Sequence, residues 1–417
     1  MFKNLLALLL LSAIVLNQNY CKATKKESLS FKDIWQKVVD WHPQIRLNHQ
    51  QLQASDGELL QARLKPNPEL EFEIEEFGGK GGRSGFDDAT MLLAFSQEIE
   101  RGGKRGKRTQ VAQAQKRLQS IFNLQAKNKL FYTVRESYLE AVFSNQKLQL
   151  EQKLYEMARE YEMAMLTMVK YGKVSPLGLE RARIDRALAK TDLNEAEIES
   201  AKATNALLTL FGESGEHHQI DLDEGEIDTL MTEEQSITDF DKSLISMGLE
   251  ENLVLQQSRL ELEKANAKTN FNVGVGLQKF TSNEETAFLL SFSTPIRRND
   301  RNQGNILVQR AKLRIEEENR QLSLLNLRTR VFDLQKHSES LKQKLTRFKT
   351  IIVPTSSGLY TRTLKAQKAG KASYIEVLES RKTLVENERA MLSTKKELCK
   401  KLNELQQVLL IPRQDLQ

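Results

Sequence analysis

After Gly106 the chain runs as far as Val169 without a proline or a glycine. A single helix can cover that stretch, and at ~1.5 Å per residue it would be on the order of 90 Å long. A rod of that length does not fit inside a compact globule, so it must pack along other long helices. The composition agrees. Of 417 residues, 39% are hydrophobic, 6% aromatic and 28% charged, with only 7 prolines. Two ordinary globular cores would need more large apolar side chains. Leu, Ala, Gln, Glu, Lys and Arg instead recur at helical spacing, which means narrow apolar seams and broad polar faces. One seam steps by four and three through Leu150, Leu154, Met157, Tyr161, Ala164 and Met168, as in a coiled coil. Near the C-terminus two ladders of seven lie side by side: Val377, Leu384, Met391, Leu398 and Leu405, then Leu378, Val385, Leu392 and Cys399. Such a helix has a partner on each side, and a wall of such helices closes into a tube that is wet inside and out.

Four segments carry a different period. Leu70, Phe72 and Ile74 alternate with Glu71, Glu73 and Glu75, and Met91, Leu93 and Phe95 follow after a polar link from Gly78 to Asp88. Later, Phe271, Val273, Val275 and Leu277 alternate with Asn272, Gly274, Gly276 and Gln278, and Phe288, Leu290 and Phe292 follow after the link Thr281 to Glu285. These are two hairpins with one apolar face each, and alternation over about ten residues is the pattern of membrane barrel strands. A closed membrane barrel needs about eight strands at least, because no strand edge can face lipid. Four strands cannot close alone, so several chains must share one barrel.

The chain follows the same plan twice: helix, two strands, very long helix, glycine turn, helix. The first pass covers about Phe31 to Phe211 and the second about Ile237 to Leu410. The expected organisation is a leader at 1–23, a first repeat at 24–211, an acidic connector at 212–241 and a second repeat with the C-terminal segment at 242–417. The leader has Lys3, an apolar run from Leu5 to Leu16, and Ala23 at a cleavage site, the plan of a secretory signal. Cys21 lacks the small residues that precede a lipid-attachment cysteine. Cleavage after Ala23 would leave Cys399 as the sole cysteine and rule out an internal disulfide. The connector has eleven acids and no Lys or Arg, which suggests a solvated link. A net charge of +6 arises from 62 basic and 56 acidic residues, a poor basis for nucleic-acid binding.

In detail the sequence resembles the TolC-like outer-membrane efflux proteins, and within them the heavy-metal, cobalt–zinc–cadmium type channel subunits. The residues that carry the resemblance are Pro66-Asn67-Pro68-Glu69-Leu70 running into Glu75-Glu76-Phe77-Gly78-Gly79, then Gln97-Glu98-Ile99-Glu100-Arg101-Gly102-Gly103-Lys104-Arg105. Pro295-Ile296 and Asp300-Arg301-Asn302-Gln303-Gly304-Asn305 complete the set. The resemblance implies a mainly helical fold with a small β part. Long antiparallel helices would form a periplasmic α-barrel, and four strands per chain would join a trimeric twelve-stranded barrel in the outer membrane. Three times the four strands read here gives that same barrel. The resemblance further implies a homotrimer working with a periplasmic adaptor protein, an inner-membrane transporter of the RND type and outer-membrane lipid. The function implied is the exit duct of a three-part efflux system for heavy-metal cations.

Particular residues follow from it. Tyr171-Gly172-Lys173-Val174-Ser175 matches Ala369-Gly370-Lys371-Ala372-Ser373. Glycine permits the left-handed residue that ends a helix, and Ser175 and Ser373 can cap the next one. By resemblance Gly172, Ser175, Gly370 and Ser373 mark tip turns where an adaptor docks. Glu376 and Glu379 would face the pore as acidic rings that attract cations. Gly178 and Ala372 depart from the family pattern, which can place an acid and an arginine there. Arg101, Lys104 and Arg105, with Lys107 and Arg108, sit where strand passes to helix and suit a membrane interface.

No catalytic, cofactor-binding or metal-ligating constellation is expected. There is no phosphate loop or nucleophile elbow, and His42, His49, His217, His218 and His337 form no helical metal pair with a carboxylate. The alternatives are the same fold exporting organic compounds or a secreted protein, and a periplasmic coiled-coil structural or adaptor protein.

Overall fold

The structure, a computed structural model, describes residues 28–213, 221–222, 225–232 and 243–409. The leader, Cys21, His217 and His218 lie outside the described residues. Helices dominate. In chain order they are α1 (Phe31–Trp41), α2 (Pro43–Arg63), α3 (Lys104–Lys170), α4 (Pro176–Thr209), α5 (Gly225–Thr232), α6 (Leu244–Asn266), α7 (Gln303–Arg347), α8 (Val353–Lys368) and α9 (Tyr374–Leu409). The strands are β1 (Ser28–Leu29), β2 (Glu69–Glu75), β3 (Thr90–Ile99), β4 (Asp221–Leu222), β5 (Phe271–Phe280) and β6 (Thr286–Ser293). Each half has helix, two strands, a long helix, a glycine turn and a last helix.

α3 is one helix of 67 residues, as the lack of proline and glycine after Gly106 allows. Its counterpart is interrupted. A five-residue π turn, Phe348–Ile352, separates α7 from α8. Pro354 lies just beyond it. Proline has no N–H to give, and its ring collides with the carbonyl four residues back. A π-bulge is one way to accommodate both.

The chain forms two compact units that cut across the halves. One contains residues 46–128 and 237–330. It holds a four-stranded antiparallel sheet in the order β2-β3-β5-β6. Its helices meet largely through polar side chains. Asn48 and Asn123 donate to each other's backbone carbonyl at 3.2 and 2.7 Å. Gln309 donates to Gln256 at 2.9 Å, and Arg117 pairs with Glu251 at 2.6 Å. The apolar contact is a small cluster of Ala114, Leu118 and Leu255 with Val111. This seam needs few hydrophobic residues, which accounts for the lean composition.

The other unit contains residues up to 45, 129–236 and 331–408. Ser30 and Asp33 form a capping box that starts α1. α1 buries Phe31, Ile34 and Val38, and its rings pack edge-on, Phe31 and Trp35 each 5.1 Å from Phe131. The buried stripe of α3 here is Leu154, Ala158, Tyr161 and Met165. The sequence pattern placed Met157 and Ala164 on that seam, and both are half-buried. Of the α9 ladders, Val377, Leu384, Leu398 and Leu405 are buried, and Leu378, Val385 and Leu392 are half-buried.

The acidic connector is more than a solvated link where it is described. β4 pairs in parallel with β1. α5 buries Ile227 and Leu230, and its Glu226 pairs with Arg135 at 3.2 Å.

Candidate functional site

Alternation decides what the sheet presents. Register aligns Leu70, Phe95, Val275 and Leu290 across all four strands, with Phe72, Leu93, Leu277 and Phe288 in the next row. This face is open: Phe288 is 91% exposed, Leu290 76% and Leu70 73%. The other face brings Glu69, Glu71 and Glu73 of β2 beside Ser96, Ala94 and Leu92. β2 and β6 are the edge strands, and each leaves a row of backbone donors and acceptors unpaired within the sheet. An apolar outward face, an acidic opposite face and two open edges suit a segment of a larger membrane barrel.

At one end of the sheet both strand-to-helix corners converge on the junction between α6 and β5. The Arg101 backbone N–H donates to Asn270 Oδ1 at 3.2 Å, and Lys104 Nζ donates to the same atom at 2.7 Å. Arg297 donates to the Asn266 carbonyl at 2.6 Å. Gly102 is required at this corner. Its φ is +76°, and a Cβ there would meet Lys268 Cδ at 2.9 Å and the Ala265 carbonyl at 3.1 Å. Burial and the nearby Arg297 hold the Lys104 ammonium below its usual pKa. Arg101 and Arg105 are exposed, and Lys107 and Arg108 half-buried. Arg108 pairs with Glu100.

The two tip turns have one geometry. Gly172 has φ +67° and Gly370 φ +73°. The Gly172 N–H donates to Val169 O at 2.9 Å and the Lys173 N–H to Met168 O at 2.9 Å. The Gly370 and Lys371 N–H groups reach Gln367 O and Ala366 O in the same way, at 2.9 and 2.8 Å. These pairs of bonds close each helix at its C-terminus. Ser175 then accepts from the Leu177 N–H at 3.3 Å, with Pro176 opening α4. Ser373 caps α9 differently. Its hydroxyl accepts from the Glu376 N–H at 3.3 Å while its own N–H donates to Glu376 Oε2 at 2.6 Å. The Ser373 N–H thereby holds the Glu376 carboxyl below its usual pKa. Glu376 and Glu379 are both exposed, but the Glu376 carboxylate is taken up by the cap and that of Glu379 is not.

Behind the turns lies a cluster of Tyr161, Met165, Leu179, Ala182 and Val377. Gly178 packs into it. A Cβ there would come within 2.9 Å of Met165 Cε and 3.1 Å of Val174 Cγ1, so a larger side chain would have to displace the end of Met165. Several polar residues of this region escaped the sequence reading. Arg381 pairs with Asp185, and burial pushes the Asp185 carboxyl up while Arg381 pulls it down. Arg389 bridges Glu151 and Asp192. Gln367 donates to the Tyr161 hydroxyl at 3.3 Å. A signal existed: Arg381 lies between Val377 and Leu384 on the buried stripe of α9, and Asp185 lies between Ala182 and Ala189 on that of α4. A charge at such a position needs a partner.

Among the described residues, no group of three or more His, Cys, Asp or Glu could hold a metal ion. Likewise no described helix is long and apolar enough to cross a membrane.

Residues 35–213 match the protein family described as outer membrane efflux protein. That match lies in the first half of the chain. The chain is also 25% identical over 346 residues to the cobalt-zinc-cadmium resistance protein CzcC of Cupriavidus metallidurans, a match that covers 80% of this chain and 78% of that one. Its fold resembles that of CusC, with a TM-score of 0.78 at 17% identity over 91% of each chain. It also resembles the outer membrane protein VceC of Vibrio cholerae, with a TM-score of 0.73 at 13% identity over 91% of this chain and 96% of that one.

Proposed function

We propose that three copies of this chain form the exit duct of a three-part efflux system that carries heavy-metal cations out of the cell. The observation that supports a shared duct is the four-stranded sheet, with its exposed apolar face and two open edges. Three copies would supply twelve strands, above the roughly eight a closed membrane barrel needs. The metal cargo is supported by the 25% identity to a cobalt-zinc-cadmium resistance protein over most of both chains.

The remaining roles follow from this reading. A periplasmic adaptor docks at the turns marked by Gly172, Ser175, Gly370 and Ser373, and links the duct to an inner-membrane RND transporter. Glu379 lines a ring of three carboxylates that favours cations. Glu376, one turn away, holds the cap that positions that ring. Arg101, Lys104 and Arg105 mark the membrane border. The segment before residue 24 is a secretory signal, and the halves at 24–211 and 242–417 flank the connector at 212–241.

The test is growth of a deletion strain on graded zinc, cobalt, cadmium, nickel, copper and silver, beside dyes and detergents. Hypersensitivity to a subset of the metals alone supports the reading and identifies the cargo. Sensitivity to dyes and detergents alone would replace metal cations with organic compounds.

A further inference from the structure

The sheet has aromatic pairs at both ends. Phe271 and Phe292 lie with ring centroids 5.5 Å apart at the helix end, and Phe77 and Phe86 stack at 5.4 Å beyond the other. Ten residues of β5 separate the two levels. At ~3.3 Å per residue and a tilt of about 40°, that is a band of roughly 25 Å, the height of the apolar belt on a membrane barrel.

Just past the helix end of this band the chain is crowded with cations. Arg101 follows Ile99 by two residues, and Arg297 and Arg298 follow Ile296, which is 92% exposed. Both corners are tied to residues 266–270, so Arg101, Arg105, Lys268, Arg297, Arg298 and Arg301 belong to one neighbourhood. All six are exposed. Among the described residues none of them enters an ion pair, and Glu100, a nearby acid, is already held by Arg108. The helices that start here also lack acids: neither α3 nor α7 has one in its first turn. Of the other helices, α1, α5 and α9 carry at least one there and α2, α4, α6 and α8 carry none. A helix N-terminus is the positive end of its dipole and ordinarily attracts carboxylates. Cations in their place add to the repulsion, and the neighbouring acids have other partners: Glu98 accepts from Asn270, and Glu263 and Asp300 from Asn302, so none forms an ion pair with these six among the described residues.

We propose that this basic collar binds the phosphate headgroups of anionic phospholipids in the membrane leaflet on the helix side of the barrel. The inference rests on the membrane-duct reading and names the partner of its border residues. The apolar band sets the depth of the acyl chains, and the collar then lies at headgroup level. Arginine forks match phosphate oxygens.

The test titrates the detergent-solubilised full-length protein with dioctanoyl-phosphatidylglycerol and follows the rise in unfolding temperature. Dioctanoyl-phosphatidylcholine and inorganic phosphate are the controls. Phosphatidylglycerol is expected to stabilise the wild type with little effect from either control. In the variant Arg101→Gln, Arg105→Gln, Arg298→Gln, Arg301→Gln, the half-saturating concentration should rise roughly tenfold or more. None of these four side chains makes a hydrogen bond or ion pair among the described residues, and Arg101→Gln/Arg105→Gln and Arg298→Gln/Arg301→Gln repeat the test at half the charge loss. Removing four exposed bases elsewhere, Lys170→Gln, Arg328→Gln, Arg362→Gln and Lys382→Gln, should leave the titration unchanged. Equal stabilisation by phosphatidylcholine, an unchanged collar variant, or full effect from inorganic phosphate would each overturn the proposal. Pore formation by the wild type in planar bilayers keeps the two readings apart: no pores sinks the duct, whereas pores without a phosphatidylglycerol preference sink only the collar.

Discussion

Arg135 shows how much of this protein depends on single polar side chains set into helical seams. It is 2% exposed. Its Nε donates to Asn403 Oδ1 at 2.7 Å, its fork reaches Glu226 and Gln406, and it lies over the rings of Phe131 and Tyr132 at 5.4 and 5.1 Å. Arg135→Met keeps the bulk and deletes the donors, so it should cost about 3 kcal/mol in denaturant unfolding. A loss under ~1 kcal/mol would mean that the network adds little. Cys399 is the opposite case, a side chain with nothing to do but fill space. It is fully buried, and burial pushes its thiol up to about 12. A raised pKa keeps the folded thiol protonated where a free cysteine is already a thiolate. Maleimide labelling of the native protein should therefore stay slow up to pH 9 and become fast on unfolding. The sequence showed Cys399 on an α9 ladder, but it could not show Arg135, whose partners lie about 90 and 270 residues away. Family likeness places Glu376 with Glu379 in acidic rings facing the pore, a role that its part in the cap leaves open. Ser373-Tyr374-Ile375-Glu376 is also a capping-box pattern, and in the structure its carboxylate serves the cap.

Among the elements, the strands were the most legible, because a period of two survives in any surroundings. Leu70, Phe72 and Ile74 fall on one face and their glutamates on the other, as alternation requires. The helical seams were legible to within one position. A straight helix drifts against a seven-residue repeat, and α3 is buried by more than one neighbour. Its contact stripe therefore runs through Ala158 and Met165 rather than Met157 and Ala164. The break at Phe348–Ile352 was hinted at by Pro354 alone. α5 was hidden in an acidic stretch, because only Ile227 and Leu230 mark its buried side. The tip turns give the prediction that belongs to this scale. Gly370→Ala places a Cβ at φ +73° and should cost about 1–2 kcal/mol. The open space around Gly370 removes any clash from the result, so thermal unfolding reads the backbone cost alone. An unchanged midpoint would show that the turn can relax to another conformation.

For the molecule as a whole, the governing fact is a sheet that cannot be finished by one chain. A soluble protein covers such a face with its own core. Here Phe288, Leu290 and Phe292 remain open, and the edges β2 and β6 lie free at the two ends of the sheet order. In the proposed duct, lipid would cover the face and further copies of the same chain would satisfy the edges. The need for several copies could be read from the strand count, but the cargo could not, because no described cluster of ligands selects a metal. The most direct test of the account is the native mass of the protein extracted from outer membranes in mild detergent and freed of lipid in the mass spectrometer. Three chains per particle are expected. A particle of one chain that still conducts in a planar bilayer would contradict it.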